Sequence, residues 1–250
     1  MQQELNLIKT GYTKLDELIG EFSTGEVMLI SGPNIYEEQQ SEFLFFLVRL
    51  ITLGSGVPGA LYTRFYLPRH IYYRLIGSVT GISWMEIGLG KVDKTEIELV
   101  NIVSNQIFDL PLVINLMLDM QDLFEEARKH YKYKGIKIIY LNGATHFETD
   151  SRFSNYFEKQ KHIIQVLKQF AKELNIAIVI TFFCRETEWT CKSCKEIENT
   201  ADIILEVDYL QSSNVPGVHH QKMRVLKTQN GKTGTYDLLF MPTTPNYEVF

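Results

Sequence analysis

The residues with the clearest chemical potential lie between positions 30 and 46, where an apolar strand passes through a Gly-Pro turn into an apolar helix. This layout is typical of a phosphate-binding loop, which follows its turn with a glycine, a lysine and a hydroxyl residue. Tyr36, Glu37 and Glu38 occupy those three places. A bulky ring hinders close approach of the backbone to a phosphate, and a carboxylate repels it. The pattern therefore predicts the scaffold of a nucleotide site without its usual charge.

Cys191 and Cys194 form a CxxC pair, with no second pair at matching spacing. A zinc site needs four ligands. The missing ligands would have to come from loops, and the candidates are Cys184, His146, His219 and His220. A redox pair is another interpretation, but we favour two free thiols in a surface loop. We likewise expect His219 and His220 to be solvated in a polar loop.

Several aromatic residues are concentrated between positions 62 and 73. They are Tyr62, Phe65, Tyr66, Tyr72 and Tyr73. Aromatic side chains can stack on nucleic-acid bases, but few cations accompany these, so we expect an aromatic cluster that packs in the core.

Composition limits the class of protein. The chain has 250 residues, of which 45% are hydrophobic, and a net charge of −5, so we expect one globular α/β domain over residues 1–250. The acidic balance is not that of a stand-alone nucleic-acid binder. The first ten residues do not resemble a signal peptide, and the apolar stretch 43–53 is too short to span a bilayer and contains Arg49. We therefore expect no membrane association. Three cysteines, an odd number, argue against a disulfide framework, so we expect a reducing cytoplasm.

Strand and helix signals alternate along the chain. Strands are predicted at 26–31, 60–66, 112–115, 136–141, 176–182 and 203–207, and helices at 37–53, 69–77, 93–108, 120–131 and 156–174. Asp93 and Glu96 have capping-box spacing. Two last strands, 222–228 and 233–240, flank Asn230-Gly231, a dipeptide that favours a tight hairpin turn. The order predicts a mainly parallel sheet with an antiparallel edge, and 142–154 and 210–220 are predicted to be mobile loops.

Four segments, in order, carry a resemblance to a known family: IKTGYTKLDELIGEFSTGEVMLISGP, VLKQFAKELNIAIVITF, EIENTADIILEV and LKTQNGKTGTYDLLF. From about position 8 to the end, the chain resembles the C-terminal, RecA-like ATPase domain of DnaB-type replicative helicases. The resemblance implies a RecA-like P-loop NTPase fold, with helices flanking a mainly parallel central sheet and a C-terminal antiparallel hairpin. The family's N-terminal, primase-contacting domain has no counterpart in this sequence.

The resemblance also assigns the family's chemistry to definite positions. Anchored on Pro33, the phosphate loop falls on Ser31, Gly32, Pro33, Asn34, Ile35, Tyr36, Glu37 and Glu38. The metal-orienting Asp falls on Ile139 or Tyr140, depending on the register. The catalytic glutamate, counted back from Arg74, falls on Phe65, and the phosphate-sensing Gln falls on Phe182. The Lys-x-Arg of the hairpin, which reaches the neighbouring subunit's nucleotide in the family, reads Lys227-Thr228-Gln229, so the lysine is kept and the arginine finger is lost.

These departures remove a cation, a hydroxyl, two carboxylates, a sensor and an arginine finger. We therefore expect a DnaB-helicase-like domain with degenerate Walker A and Walker B motifs, which hydrolyses nothing and serves as a binding or assembly module linked to DNA replication. Its partner would be another protein or a copy of itself in a ring-like assembly, with single-stranded DNA as a weaker candidate. Arg185 matches a family arginine that could contact nucleic acid, although a nearby carboxylate is the partner we favour. The alternative is a DNA-dependent ATPase or helicase with a non-standard site, and only then would ATP and Mg²⁺ be cofactors.

Overall fold

The structure is a computed structural model that describes residues 7–33, 37–117, 119–147, 153, 156–184, 197, 199–212 and 215–249. At 33, 37–38, 145, 156, 183–184 and 209–212 the description covers the backbone alone.

Within these described residues, nine strands form one sheet. They are β1 (Val27–Pro33), β2 (Gly59–Thr63), β3 (Leu112–Leu116), β4 (Ile138–Asn142), β5 (Ala177–Cys184), β6 (Ile203–Ser212), β7 (His219–Lys227), β8 (Gly234–Met241) and β9 (Asn246–Val249). Their order across the sheet is β3-β2-β4-β5-β1-β6-β7-β8-β9. The first six strands in this order run parallel, and β6 to β9 pair antiparallel. The predicted mixture of a parallel sheet and an antiparallel edge is confirmed.

In the part of the chain that the structure describes, seven α-helices connect or flank these strands. They are α1 (Thr13–Ile19), α2 (Glu37–Val48), α3 (Pro68–Thr80), α4 (Trp84–Leu89), α5 (Lys94–Asp109), α6 (Met120–Lys134) and α7 (Tyr156–Leu174). A π-helical segment, Arg49–Gly54, continues α2, and a 3-10 turn, Ala144–His146, follows β4. In the described part of the chain, no helix combines the length and apolar content that crossing a bilayer requires.

The helices cover the two faces of the parallel strands. Apolar side chains of α1, α2, α3 and α5 pack on one face, and those of α6 and α7 pack on the other. In β1, Met28 and Ile30 belong to the first core, whereas Val27 and Leu29 belong to the second. This strand is apolar on both sides because successive residues of a strand point to opposite faces and helices cover both of them.

Local sequence signals account for several element boundaries. The Asp93 carboxylate accepts a hydrogen bond from the Glu96 amide at 2.9 Å, and the Glu96 carboxylate accepts one from the Asp93 amide at 2.8 Å. This reciprocal pair confirms the predicted capping box at the start of α5. At the end of α3, Gly81 has a φ of 74°, a left-handed conformation that glycine adopts without strain.

Some predicted boundaries are wrong. Three elements were missed: α1, α4 and β9. The predicted loop at 210–220 is strand at both ends, because β6 continues to Ser212 and β7 begins at His219. The hairpin connection between β7 and β8 spans 228–233 and is not a two-residue turn at Asn230-Gly231. In the predicted loop at 142–154, Asn142 ends β4, and 148–152 and 154 lie outside the described residues.

Candidate nucleotide-binding site

Strand β1 and helix α2 flank the phosphate-loop positions as predicted, but Gly32 and Pro33 belong to the strand and not to a turn. β1 keeps its parallel pairing with β5 as far as Pro33, which lies opposite Cys184, and α2 begins at Glu37. Parts of the predicted loop lie outside the described residues: Asn34, Ile35 and Tyr36, and the side chains of Pro33, Glu37 and Glu38. β1 ends and α2 begins at the carboxyl edge of the parallel strands, where open α/β sheets bind their ligands.

The backbone at Gly32 is tightly enclosed by its own chain. A Cβ atom at this position would lie 1.9 Å from Nε2 of Gln40 and 2.5 Å from the carbonyl oxygen of Val207. Gln40 lies in α2 and is fully buried. Ser31, the preceding residue, donates its hydroxyl to the Leu205 carbonyl at 3.1 Å. The first part of the loop is therefore packed strand, held by α2 on one side and β6 on the other.

A buried, neutral polar cluster lies where α2 meets the ends of β4 and β5. The amide oxygen Oδ1 of Asn142 accepts hydrogen bonds from the Ser41 hydroxyl at 3.0 Å and the Thr181 hydroxyl at 3.3 Å. The Thr181 hydroxyl oxygen accepts one from the Gly143 amide at 2.9 Å. Nδ2 of Asn142 has no partner within the described residues. This cluster offers hydroxyl and amide groups but neither an acid nor a base.

Sequence reasoning did not identify this cluster. The signal was present, because Asn142 follows the apolar run of β4 directly and Thr181 interrupts the apolar run of β5. Polar residues at the carboxyl ends of adjacent parallel strands meet at one edge of the sheet.

Strand β4 has no carboxylate at the position of the metal-orienting Asp. Ile139 belongs to the core under α6 and α7, and Tyr140 belongs to the core under α2. The Tyr140 hydroxyl lies 3.0 Å from Oγ1 of Thr52, and burial raises the pKa of the phenol far above its ordinary value. Both residues are packing residues of a central strand.

Phe65 lies in the bend that follows β2, two residues beyond Thr63. A Cβ atom at Gly143 would lie 2.4 Å from Cε2 of Phe65, so the ring lies directly against the backbone just beyond β4. The same ring meets the His146 ring edge-on, with centroids 5.3 Å apart, and it is 44% exposed. An aromatic ring cannot take a proton from water, so this position does not supply a general base.

Phe182 lies on the other side of the sheet from the polar cluster. Its side chain is 1% exposed and packs in the core under α6 and α7, whereas its neighbour Thr181 points towards α2. A side chain with this direction does not reach a group bound at the start of α2.

Lys227 and Gln229, at the positions of the Lys-x-Arg motif, both contact their own chain. Nζ of Lys227 donates to the Ala201 carbonyl at 2.7 Å, and Nε2 of Gln229 donates to Oε1 of Glu26. Burial raises the pKa of the Glu26 carboxyl. The side-chain amide of Gln229 therefore binds a carboxylate of its own chain.

An ion pair that sequence analysis did not anticipate lies beside the site. Nε of Arg74 donates to Oε1 of Glu42 at 2.7 Å, and both side chains are 6% exposed. The Arg74 guanidinium lies 3.8 Å from the centre of the Trp84 ring and 5.2 Å from that of Tyr66. Glu42 is a buried carboxylate of α2, but Arg74 holds it as a structural partner.

The predicted cysteine pair, Arg185 and the two neighbouring histidines are the remaining candidate site residues. Cys191, Cys194 and Arg185 lie outside the described residues. Within the residues that the structure does describe, no three His, Cys, Asp or Glu side chains come together as a metal site would require. The prediction that His219 and His220 lie in a loop is wrong, because both belong to β7.

Among the described contacts, the aromatic residues at 62–73 pair with different rings and not with one another, so the predicted single cluster is wrong. The predicted core packing is confirmed for Tyr62, Tyr66 and Tyr72. Tyr62 is fully buried and its hydroxyl lies 2.7 Å from Nδ1 of His130 in α6. Tyr66 packs edge-on against Phe45, with centroids 5.4 Å apart, and Tyr72 lies 5.3 Å from Phe108. Tyr62, in β2, and Tyr66, in the bend that follows it, pack against the cores on opposite faces of the sheet.

Together, the strand order and the succession of β1 and α2 at the carboxyl edge define a RecA-like α/β domain of the P-loop NTPase type. The model of the DnaB-like helicase C-terminal domain matches residues 8–249, and the chain belongs to this family.

Individual relatives agree with this assignment. The chain is 25% identical to the replicative DNA helicase DnaB of Treponema pallidum (strain Nichols) over 244 residues, which is 96% of this chain and 55% of that protein. It therefore spans about half the length of the curated relative it matches.

Two solved structures share the fold. The first, an ATPase domain, superposes with a TM-score of 0.80 at 16% identity, over 96% of this chain and 90% of that one. The second, a DnaB-like replicative helicase described together with its interactions with primase, superposes with a TM-score of 0.79 at 16% identity, over 96% and 61% of the two chains.

Proposed function

We propose that this chain is a DnaB-helicase-like domain that does not hydrolyse ATP and that acts as a binding or assembly module in DNA replication or a related DNA transaction. The observation that carries this proposal is that α2 opens with Glu37-Glu38, at the two positions where the family's phosphate loop has lysine and a hydroxyl residue.

The electrostatic consequence is large. Two unit charges about 4 Å apart interact by about 4 kcal/mol at an effective dielectric constant near 20. Replacing an attractive lysine with a repulsive carboxylate reverses the sign of this interaction with the phosphates. Even after screening, the change disfavours bound triphosphate by several kcal/mol, roughly a hundredfold or more in affinity.

Other positions support the same conclusion because each removes a separate requirement of phosphoryl transfer. Phe65 has no proton-accepting group, and neither Ile139 nor Tyr140 orients a metal ion. Gln229 contacts Glu26 of its own chain, and an amide lacks the charge through which an arginine finger stabilises the transition state.

The proposed partner is a protein, either another DnaB-like domain or a second copy of this chain. In head-to-tail association, one surface of each domain contacts a different surface of the next domain. Such contacts close into a ring when the rotation between neighbouring copies permits it. Here the contacts between copies would not depend on a nucleotide held between them.

The test is Mg·ATP binding and hydrolysis, with and without single-stranded DNA. We expect the natural chain to show neither micromolar binding nor turnover. The double variant Glu37→Lys/Glu38→Thr should gain at least about tenfold in affinity for Mg·ATP, because it restores attraction to the phosphates. It should still not hydrolyse ATP, since Phe65 remains.

The control is Glu98→Lys/Glu86→Thr, which changes the same charges at exposed sites on α5 and α4 and should leave affinity unchanged. Turnover by the natural chain that is destroyed by Glu37→Ala or Glu38→Ala would overturn the proposal in favour of an ATPase with a non-standard site.

A further inference from the structure

Helices α6 and α7 carry a cationic surface on an acidic chain. Together these two helices contain eight Lys and Arg against five Asp and Glu, a net charge of +3. The whole chain has a net charge of −5, so the remaining residues carry −8. The basic charge is therefore concentrated on one of the two helical layers.

The geometry brings the cations of the two helices together. The rings of Phe124 and Phe170 lie 4.5 Å apart, and Nη2 of Arg128 donates to Oε1 of Glu173 at 2.9 Å. The helices thus run side by side in the same direction. Each ends just before a parallel strand begins, β4 after α6 and β5 after α7. Their C-terminal ends consequently lie at the amino edge of the sheet, opposite the edge with the candidate nucleotide-binding site.

Several of these cations are not neutralised. Lys129 pairs with Glu126, Lys168 with Asp202, and Arg128 with Glu173. Within the residues that the structure describes, four other lysines of these helices form no ion pair: Lys132, Lys134, Lys159 and Lys172. Of these, Lys132, Lys134 and Lys172 are exposed and lie in the last turn of their helix.

The helix macrodipole explains part of this pattern, because it favours a cation at a C-terminus by about 0.3–1 kcal/mol. It does not explain the tyrosines between the lysines. Tyr131 is 36% exposed and Tyr133 is 75% exposed, and Nζ of Lys132 lies 5.2 Å from the centre of the Tyr133 ring. An open aromatic ring among unpaired cations is the combination that single-strand-binding surfaces use, with lysines on the phosphates and rings stacked on bases.

We propose that this surface, the α6–α7 basic edge, binds single-stranded nucleic acid. Its members are Arg128, Lys132, Tyr133, Lys134 and Lys172. The lysines contact phosphates, and Tyr133 stacks on a base. An acidic peptide would use the cations but would leave the ring exposed, so the tyrosine favours nucleic acid. The site goes beyond the proposed function, because it requires no nucleotide and lies at the other edge of the sheet.

The test is fluorescence anisotropy of the full chain with a labelled oligothymidine of roughly 20 nucleotides, long enough for stacking and several phosphate contacts. No ATP is added. Three phosphate contacts to a single strand predict a slope of about −2 for the logarithm of the association constant against the logarithm of salt concentration.

The triple variant Lys132→Glu/Lys134→Glu/Lys172→Glu should weaken binding at least about tenfold and remove most of this slope. Tyr133→Ala should weaken binding about fivefold or more and leave the slope unchanged.

The matched control is Lys91→Glu/Lys94→Glu/Lys232→Glu, which changes the net charge equally at exposed lysines elsewhere. It should change affinity by less than about twofold at moderate salt, because exposed charges beyond a Debye length of about 10 Å are screened. Thermal melting of each variant checks that the fold is intact.

Three results would each overturn the proposal: no binding by the natural chain at about 50 mM salt, equal weakening by the control variant, or tighter binding of polyglutamate than of the oligonucleotide. Since no ATP is present, an unexpected ATPase activity would contradict the proposed function without affecting this measurement.

Discussion

At the scale of single residues, the buried ion pair between Arg74 and Glu42 is the contact near the candidate site that we expect to contribute most to stability. Both side chains are almost fully buried, and the guanidinium also lies over the Trp84 ring. A buried charge that loses its partner keeps its desolvation cost without compensation. We therefore assign this pair to the stability of α2 and α3 rather than to chemistry.

The corresponding prediction concerns Arg74→Ala. We expect it to lower the free energy of unfolding by about 3–5 kcal/mol, since it leaves Glu42 buried without its cation. Arg128→Ala is the control, because its pair with Glu173 is about half exposed and such pairs contribute about 1 kcal/mol or less. Urea denaturation followed by circular dichroism measures both. Equal, small losses in the two variants would contradict this assignment.

At the scale of elements, the connection between β7 and β8 is fixed against the end of α1. A Cβ atom at Gly231 would lie 2.3 Å from the Leu18 carbonyl oxygen, and one at Gly20 would lie 2.3 Å from the Gly231 nitrogen. The Thr228 hydroxyl donates to the Ile19 carbonyl, and Nδ2 of Asn230 donates to Glu21 at 2.7 Å. The predicted turn dipeptide is therefore a packing contact between two elements that are distant in sequence.

Gly231→Ala tests this contact. The added methyl group would overlap backbone atoms, which cannot rotate away, so we expect a loss of about 2 kcal/mol in the free energy of unfolding. Gly54→Ala is the control, because its Cβ would meet its nearest neighbour at 3.5 Å, an ordinary contact. It should change stability by less than about 0.5 kcal/mol. If Gly231→Ala is tolerated as well as Gly54→Ala, the close approach of the two backbones is not required.

At the scale of the whole molecule, the two edges of the parallel sheet differ in charge. The carboxyl edge carries Glu37-Glu38 beside the neutral Ser41–Asn142–Thr181 cluster, whereas the amino edge carries the α6–α7 basic edge. Under the proposed function, the family's fold is kept while its nucleotide chemistry is not. Such a domain would act by binding partners and not by hydrolysing ATP.

This difference leads to a prediction about assembly. If copies associate, their association should not depend on Mg·ATP, because the carboxylates of Glu37 and Glu38 would repel triphosphate. Sedimentation velocity should give the same distribution of masses with and without millimolar Mg·ATP. The variant Glu37→Lys/Glu38→Thr serves as the positive comparison, since it is expected to bind nucleotide. A nucleotide-dependent increase in mass for the natural chain would contradict the proposed function.

The sequence by itself determined the sheet, its parallel core and the succession of β1 and α2. Apolar runs such as β4 and the helical periodicity of α7 are local signals, and they are strong because burial on both faces of a sheet leaves few alternatives. The capping box of α5 was predictable for the same reason: its two hydrogen bonds join residues three positions apart.

Only the tertiary structure decided which side chains meet. The contacts between Ser41 and Asn142, Arg74 and Glu42, and Gly20 and Gly231 join residues from about 30 to more than 200 positions apart, and no local pattern encodes them. The α6–α7 basic edge likewise exists because two helices that follow different strands end at the same edge of the sheet. Chain topology brings such residues together, and topology follows from the packing of the whole core rather than from any one segment.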